Sequence, residues 1–198
     1  MRTAFSTVEH NLHRTRKELL ARYFSRQQVA RQEGDIYRFC ENMVEQMLAG
    51  TEPFDVKNVF DCLTGNIISK YAFGKSMDFG ARGDFENNFA SWTWSFFEIA
   101  YFMRHIPLLR QTVRITPFFA PLLGKNIRAV MEVISVTIPE HIDAAVKDPK
   151  NGGIFGDLMA DGSFPREEKE RFVGEGFNFL LAGTETTAVR HDLKDIEE

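Results

Sequence analysis

The stretch Pro165-Arg-Glu-Glu168-Lys-Glu-Arg171-Phe172-Val173-Gly-Glu-Gly-Phe177-Asn-Phe-Leu180-Leu181-Ala182-Gly183-Thr184-Glu185-Thr186-Thr187 decides how the chain is read. Pro165 suits a first helical turn, and Glu167 and Glu168 beside it suit the positive end of the helix dipole. Phe172, Val173, Phe177, Leu180 and Leu181 then recur at the spacing of one buried helical face. Gly183, Glu185 and Thr186 follow at once, although glycine in a helix interior costs roughly 1 kcal/mol relative to alanine and Thr hydroxyls compete there for carbonyls. Two readings stay open at this point. Gly183 is a stop signal with solvated threonines behind it, or the turn is locally widened and holds water between the Glu185 carboxylate and the Thr186 hydroxyl, a pair able to relay protons.

Outward from this stretch, the pattern is helical almost throughout and free of repeats. Apolar periodicity and breakers predict helices near 8 to 23, 27 to 49 with Gly50 as stop, 55 to 72 before Phe73-Gly74, 84 to 104, 119 to 147 and 165 to 190. Val133 to Ile138 is β-branched and also readable as a strand, but helical flanks favour a helix that Pro139 kinks or divides. The expectation is one all-α block. The 198 residues are 43% hydrophobic, enough for a core, and the formal charge of -4 argues against a nucleic-acid partner. The first 31 residues carry seven Arg or Lys against Glu9 and Glu18, a local patch for an anionic group or an acidic protein.

Cys40 and Cys62 stand 22 apart without a CxxC or His-rich neighbourhood, so neither a disulfide framework nor a zinc site is indicated. Cys40 falls in the run Ile36, Phe39, Cys40, Met43, Val44, Met47, Leu48 and reads as a small buried hydrophobe in a reducing compartment. No stretch approaches the eighteen or so apolar residues of a transmembrane helix. Phe85, Phe89, Trp92, Trp94, Phe96, Phe97, Tyr101, Phe102, Phe118 and Phe119 form an aromatic region broken by Pro107, Pro117 and Pro121. Core packing is its default role, ahead of pocket lining and membrane contact.

Ala182-Gly183-Thr184-Glu185-Thr186-Thr187 resembles the signature of the long distal helix of the cytochrome P-450 superfamily, the haem-thiolate monooxygenases. The segment His10-Asn-Leu-His13-Arg14-Thr-Arg16-Lys17-Glu-Leu19-Leu20-Ala-Arg-Tyr23-Phe24-Ser25 resembles the basic helix that precedes a Phe-Ser turn in fungal members. Ile67 to Ser76, Ile154 to Met159 and Pro165 to Lys169 also look like fungal members, so the resemblance covers about residues 5 to 188. It implies the helical middle portion of the P-450 fold, lacking the N-terminal sheet region and the C-terminal haem-ligand half. A partial domain over 1 to 188 and a charged tail over 189 to 198, which resembles nothing in the family, are expected.

By that resemblance, His13 and Lys17 would hold a propionate of a b-type haem from one helix face, with Lys17 replacing the more usual arginine and losing its bidentate fork. Ala182 and Gly183 would lie against the haem, Gly183 giving dioxygen room. Thr186 would hold dioxygen and a water, and Glu185 would help supply protons. The substrate would be an apolar small molecule, and electrons would come from an NADPH-cytochrome reductase docking near Arg14 to Arg22. Family members work at the endoplasmic reticulum membrane surface, so peripheral membrane contact is expected although the chain shows no spanning segment.

The departures matter as much. The family's Phe-x-x-Gly-x-x-x-Cys-x-Gly loop is not in the sequence, and neither Cys40 nor Cys62 carries over as the iron ligand. Glu168-Lys-Glu-Arg171 fits the family's Glu-x-x-Arg by spacing but precedes the motif, and reads as an i, i+3 surface pair. The expectation is therefore a truncated enzyme with exposed apolar patches, weak haem binding and no turnover. The alternative is a non-catalytic helical interaction protein derived from such an enzyme; phosphate binding at Gly183-Thr184 has the glycine too late in the helix.

Overall fold

Asp55 and Gly74 delimit the helix around which the others pack. The Asp55 side chain accepts the Lys57 amide at 2.8 Å and starts the helix; Gly74, at φ 75°, ends it in the left-handed conformation that glycine adopts without a Cβ penalty. In the computed structural model the described residues are 3–4, 6–51, 53–80, 85, 97, 101, 105, 125–162 and 169–194, with backbone only for 125–127, 129, 169 and 185–194. They form α1 (His10–Ala21), a 3-10 turn (Arg22–Phe24), α2 (Arg26–Arg31), α3 (Glu33–Ala49), α4 (Val56–Phe73), α5 (Lys125–Glu132), a π turn (Val133–Thr137), α6 (Ile138–Lys147), a second 3-10 turn (Pro149–Asn151), α7 (Gly153–Ala160) and α8 (Lys169–Lys194). No strand occurs among the described residues, so the chain is all-α there.

The core lies where α4, α6 and α7 pack against α8. Phe155 is fully enclosed, its ring stacked on Phe73 at 5.2 Å and edge-on to Phe172 at 5.7 Å and Phe179 at 5.8 Å. The approach is close because glycines stand at the contacts. A Cβ at Gly74 would come within 1.6 Å of the Asn151 carbonyl oxygen, and one at Gly153, itself at φ 60°, within 2.5 Å of the Tyr71 carbonyl oxygen. The same density of glycine hides α7 from a periodicity argument, and the sequence reading has no helix at 153–160.

Four further expectations are corrected by the structure. The helix expected over 27 to 49 divides at Gln32, because Ser25 caps a short α2 and the acidic first turn of α3, Glu33 and Asp35, starts a second helix. The helix expected across Val133 to Ile138 is interrupted just ahead of Pro139, by the π turn over Val133–Thr137, and not at the proline itself. The π turn before it shifts the ladder so that the Ile138 amide bonds the Val133 carbonyl, five residues back, and Pro139 enters the first turn of α6, where no amide is needed. The apolar run on α3 is only half used: Met43 is buried and Cys40 is half-buried, but Val44 and Leu48 are 52% and 82% exposed. α3 touches the core along one side only, against α4.

Gly183, finally, does not end its helix, nor is the turn around it widened. α8 is α-helical from Lys169 to Lys194. A Cβ at Gly183 would meet Ile68 Cγ1 at 2.7 Å, so this glycine permits the crossing with α4, and that packing outweighs its helix propensity. The aromatic region lies outside the described residues except for Phe85, which is buried against Phe54, and for Phe97 and Tyr101, which are exposed. The start of the helix expected at 165 and the helix expected over 84 to 104 also lie outside them, apart from these few positions. Within the described residues no helix is long and apolar enough to cross a membrane.

Candidate functional site: a cleft between α1 and α8

Glu175, Asn178, Phe179, Ala182 and Gly183 recur along α8 at the i, i+3, i+4, i+7, i+8 spacing of one helix face, and that face is one wall of a cleft of about 380 Å³. Leu20 of α1 and Phe24 of the following turn form the opposite wall, Ile68 of α4 the back, and Ala4 an edge. Phe24 stacks on Phe179 at 5.5 Å and meets Tyr71 edge-on at 6.4 Å, which fixes the α1 end against α8. The Tyr71 hydroxyl donates to the Tyr23 carbonyl and holds the same turn to α4. The wall is apolar except for Glu175 and Asn178.

The structure thus brings Ala182 and Gly183 into one cleft with α1. His13 and Lys17 stand seven and three residues before Leu20, so helix geometry places them on the stripe that ends in that wall. Lys17 is exposed; His13 is half-buried, with Nδ1 2.8 Å from the Ala4 carbonyl oxygen. The backbone of α8 carries Glu185 and Thr186 within the turn that follows Ala182, and their side chains lie outside the described residues. Glu168 also lies outside them, while Arg171 is not on the surface as expected: it is largely buried, with Nε 4.0 Å from Glu175 Oε1.

Glu175 and Arg16 belong to this site and are missing from the sequence reading. Glu175 is 3% exposed, and burial pushes its carboxyl above the usual carboxylate range; the Ala4 amide, which donates to Oε1 at 2.6 Å, and Arg171 and Arg16 act in the opposite direction. Arg16, buried on α1, donates from Nη1 to Thr7 Oγ1 at 2.5 Å. Residue 4 is therefore gripped twice, its amide by α8 and its carbonyl by α1, and the segment before α1 ties the two walls together. A signal for Glu175 exists in the sequence: a carboxylate set between Gly174 and Gly176 inside an apolar stripe.

The described lining of the cleft is apolar apart from Glu175 and Asn178 and offers contact to an apolar group. Small residues Ala182 and Gly183 leave room on one wall, Leu20 and Phe24 offer apolar contact on the other, and Lys17 stands exposed along the α1 stripe. No thiol lines it. Cys62 is buried on α4, its Sγ 3.3 Å from where a Cβ of Gly80 would lie, and Cys40 is on α3; among the described residues no group of three or more His, Cys, Asp or Glu is placed to hold a metal ion.

No protein-family model matches the chain. Several curated fungal proteins are similar to it over nearly all its length. It is 28% identical to the cytochrome P-450 monooxygenase ppzE of Metarhizium majus over 95% of this chain and 41% of that protein. It is 30% identical to the cytochrome P-450 monooxygenase dpmpJ of Macrophomina phaseolina over 92% of this chain and 58% of that protein. It is 28% identical to conidiogenone synthase of Penicillium rubens over 92% of this chain and 39% of that protein. The chain spans about two fifths to three fifths of the length of these relatives.

Proposed function

We propose that this chain, a relative of the fungal cytochrome P-450 monooxygenases, supplies the distal wall of a haem-dependent monooxygenase site that oxidises an apolar small molecule. One observation carries the reading: the cleft between α1 and α8 has Ala182 and Gly183 on one wall and Leu20 and Phe24 on the other, with His13 and Lys17 on the α1 stripe that leads to Leu20. A b-type haem with a thiolate ligand would supply dioxygen activation there. Ala182 and Gly183 would give it room, Leu20 and Phe24 would contact its apolar body, and Lys17, on the adjoining α1 stripe, would pair as a point charge with a propionate. His13 assists through its Nε2 edge, since Nδ1 is engaged with Ala4.

Thr186 would hold a water by its hydroxyl, and Glu185 would pass protons from solvent toward it. The basic surface of α1 from Arg14 to Arg22 suits an acidic patch on an NADPH-cytochrome reductase. Residues 1 to 188 would form the monooxygenase part, working at the endoplasmic reticulum membrane surface, and 189 to 198 a charged tail whose first residues, to Lys194, continue α8. Because neither cysteine lines the cleft, the described residues by themselves would bind haem weakly and without the thiolate signature.

Titration of the full chain with haemin, followed by the Soret band, tests this. Weak binding is expected, with Ala182→Trp lowering affinity at least about tenfold by filling the cleft and Lys17→Glu lowering it less. Equal affinity for the chain and Ala182→Trp overturns the assignment of the cleft. A thiolate-type band in the reduced carbon monoxide complex overturns the claim that no cysteine of this chain reaches the iron.

A further inference from the structure

α4 and α8 cross so closely that glycine stands on both sides: a Cβ at Gly183 would lie 2.7 Å from Ile68 Cγ1, and one at Gly65 would lie 2.9 Å from Phe79 and 3.6 Å from Thr184 Oγ1. At this crossing the Thr64 hydroxyl of α4 is 3.0 Å from the Thr184 carbonyl oxygen of α8 and 2.8 Å from the carbonyl of Phe60, four residues back on its own helix. Both threonines are buried, and Thr184 Oγ1 itself has no hydrogen-bond partner among the described residues. Thr64 therefore supplies a hydrogen bond at this point that Thr184 does not.

We propose that Thr64 is a positioning residue for the Gly183 to Thr186 stretch, its single hydroxyl proton shared between the Phe60 carbonyl of α4 and the Thr184 carbonyl of α8. A threonine in a helix interior ordinarily bonds back to its own helix, a local contact that ties nothing together. Here a second acceptor 120 residues away turns that contact into a clasp between helices. The β-branched side chain has few rotamers, so the hydroxyl is aimed before the clasp forms. The carbonyl it reaches is the one that α-helical geometry pairs with the amide of Ala188, and it immediately precedes Glu185 and Thr186. The clasp sets the height and rotation of that turn against α4, and its functional weight rests on the reading of α8 as the distal wall, where displacements near 1 Å are costly.

Thr64→Val removes the hydroxyl at nearly constant shape, and Thr64→Ser returns it. Amide hydrogen exchange of the full chain, read over residues 184–190 with α6 as internal reference, is the measurement. Thr64→Val is expected to speed exchange over 184–190 about three- to tenfold, with Thr64→Ser within about twofold of the parent and α6 unchanged. Exchange over 184–190 unaltered in Thr64→Val, Thr64→Ser as fast as Thr64→Val, or equal acceleration in α6 each overturns the clasp. Haemin affinity of the same variants separates the two proposals: faster exchange at unchanged affinity keeps the clasp and removes its link to the cleft.

Discussion

α4 and α3 are neighbours of nearly equal length, and burial treats them in opposite ways. α3 has the more evidently amphipathic sequence, yet Met43 is its only buried residue. α4 carries Asp61, Thr64, Gly65, Asn66 and Ser69 in its interior, and these are buried along with Val59, Cys62, Ala72 and Phe73. The difference lies in what each helix meets. α4 is enclosed by α8, α6, α7 and α3, and its small and polar residues allow close crossings and make specific bonds, such as those of the Asn66 side-chain amide, whose Nδ2 donates to the Phe79 carbonyl and whose Oδ1 accepts from the Phe79 amide. α3 meets α4 and the short α2, so half its apolar stripe faces outward. An apolar stripe shows which face would be buried given a neighbour; it does not supply the neighbour.

The largest expected break in this contrast is at the shared aromatic centre. Phe155→Ala removes a ring in contact with Phe73, Phe172 and Phe179 and should cost about 3–5 kcal/mol in urea unfolding, enough to threaten cooperative folding. Next in size is a pair of identical substitutions at two helical glycines. Gly183→Ala pushes a methyl against Ile68 in the α4–α8 crossing and should cost about 1–3 kcal/mol, whereas Gly34→Ala on α3, where nothing lies within 4 Å, should gain up to about 1 kcal/mol from helix propensity. Opposite signs in thermal or urea unfolding sharpen the comparison; equal signs break it.

A smaller effect is expected from pH. Burial raises the Glu175 carboxyl in the fold above its unfolded value, so between those two values the folded state binds more protons than the unfolded one. The penalty for its charge is absent below the unfolded value and fully present above the folded one. Stability should therefore fall less steeply in Glu175→Gln than in the parent as pH rises upward from about 4.5, and parallel curves of unfolding free energy against pH would refute this.

Much of the fold was legible because its signals are local. Asp55, Gly74 and the apolar period between them gave α4 to within a residue at each end, since a cap and a left-handed stop act within one turn. The division at Gln32 did have a local trace, the polar run Arg31-Gln-Glu-Gly-Asp35 between Val29 and Ile36, which the helix expected over 27 to 49 passes over. α7 was missed because its glycines exist for close contacts, Gly156 with Pro149 in the turn just before it and Gly153 with Tyr71 far back in the chain. The candidate site divides in the same way. Ala182, Gly183, His13 and Lys17 could be singled out from the sequence, and Glu175 carried a signal between its two glycines, but Arg16 and Thr64 could not, because their partners are at Thr7 and Thr184.

By itself, then, the sequence determined an all-helical chain, the faces of its helices and the kinship to fungal monooxygenases, all of which depend on residue types at fixed short spacings. Only the tertiary structure decided that Gly183 continues its helix, that Pro139 is absorbed by a π turn, that α3 stays half exposed and that α1 and α8 face one another across a cleft. Those outcomes depend on energies a few times kT in size set by groups distant in the chain, and a local pattern carries no record of them.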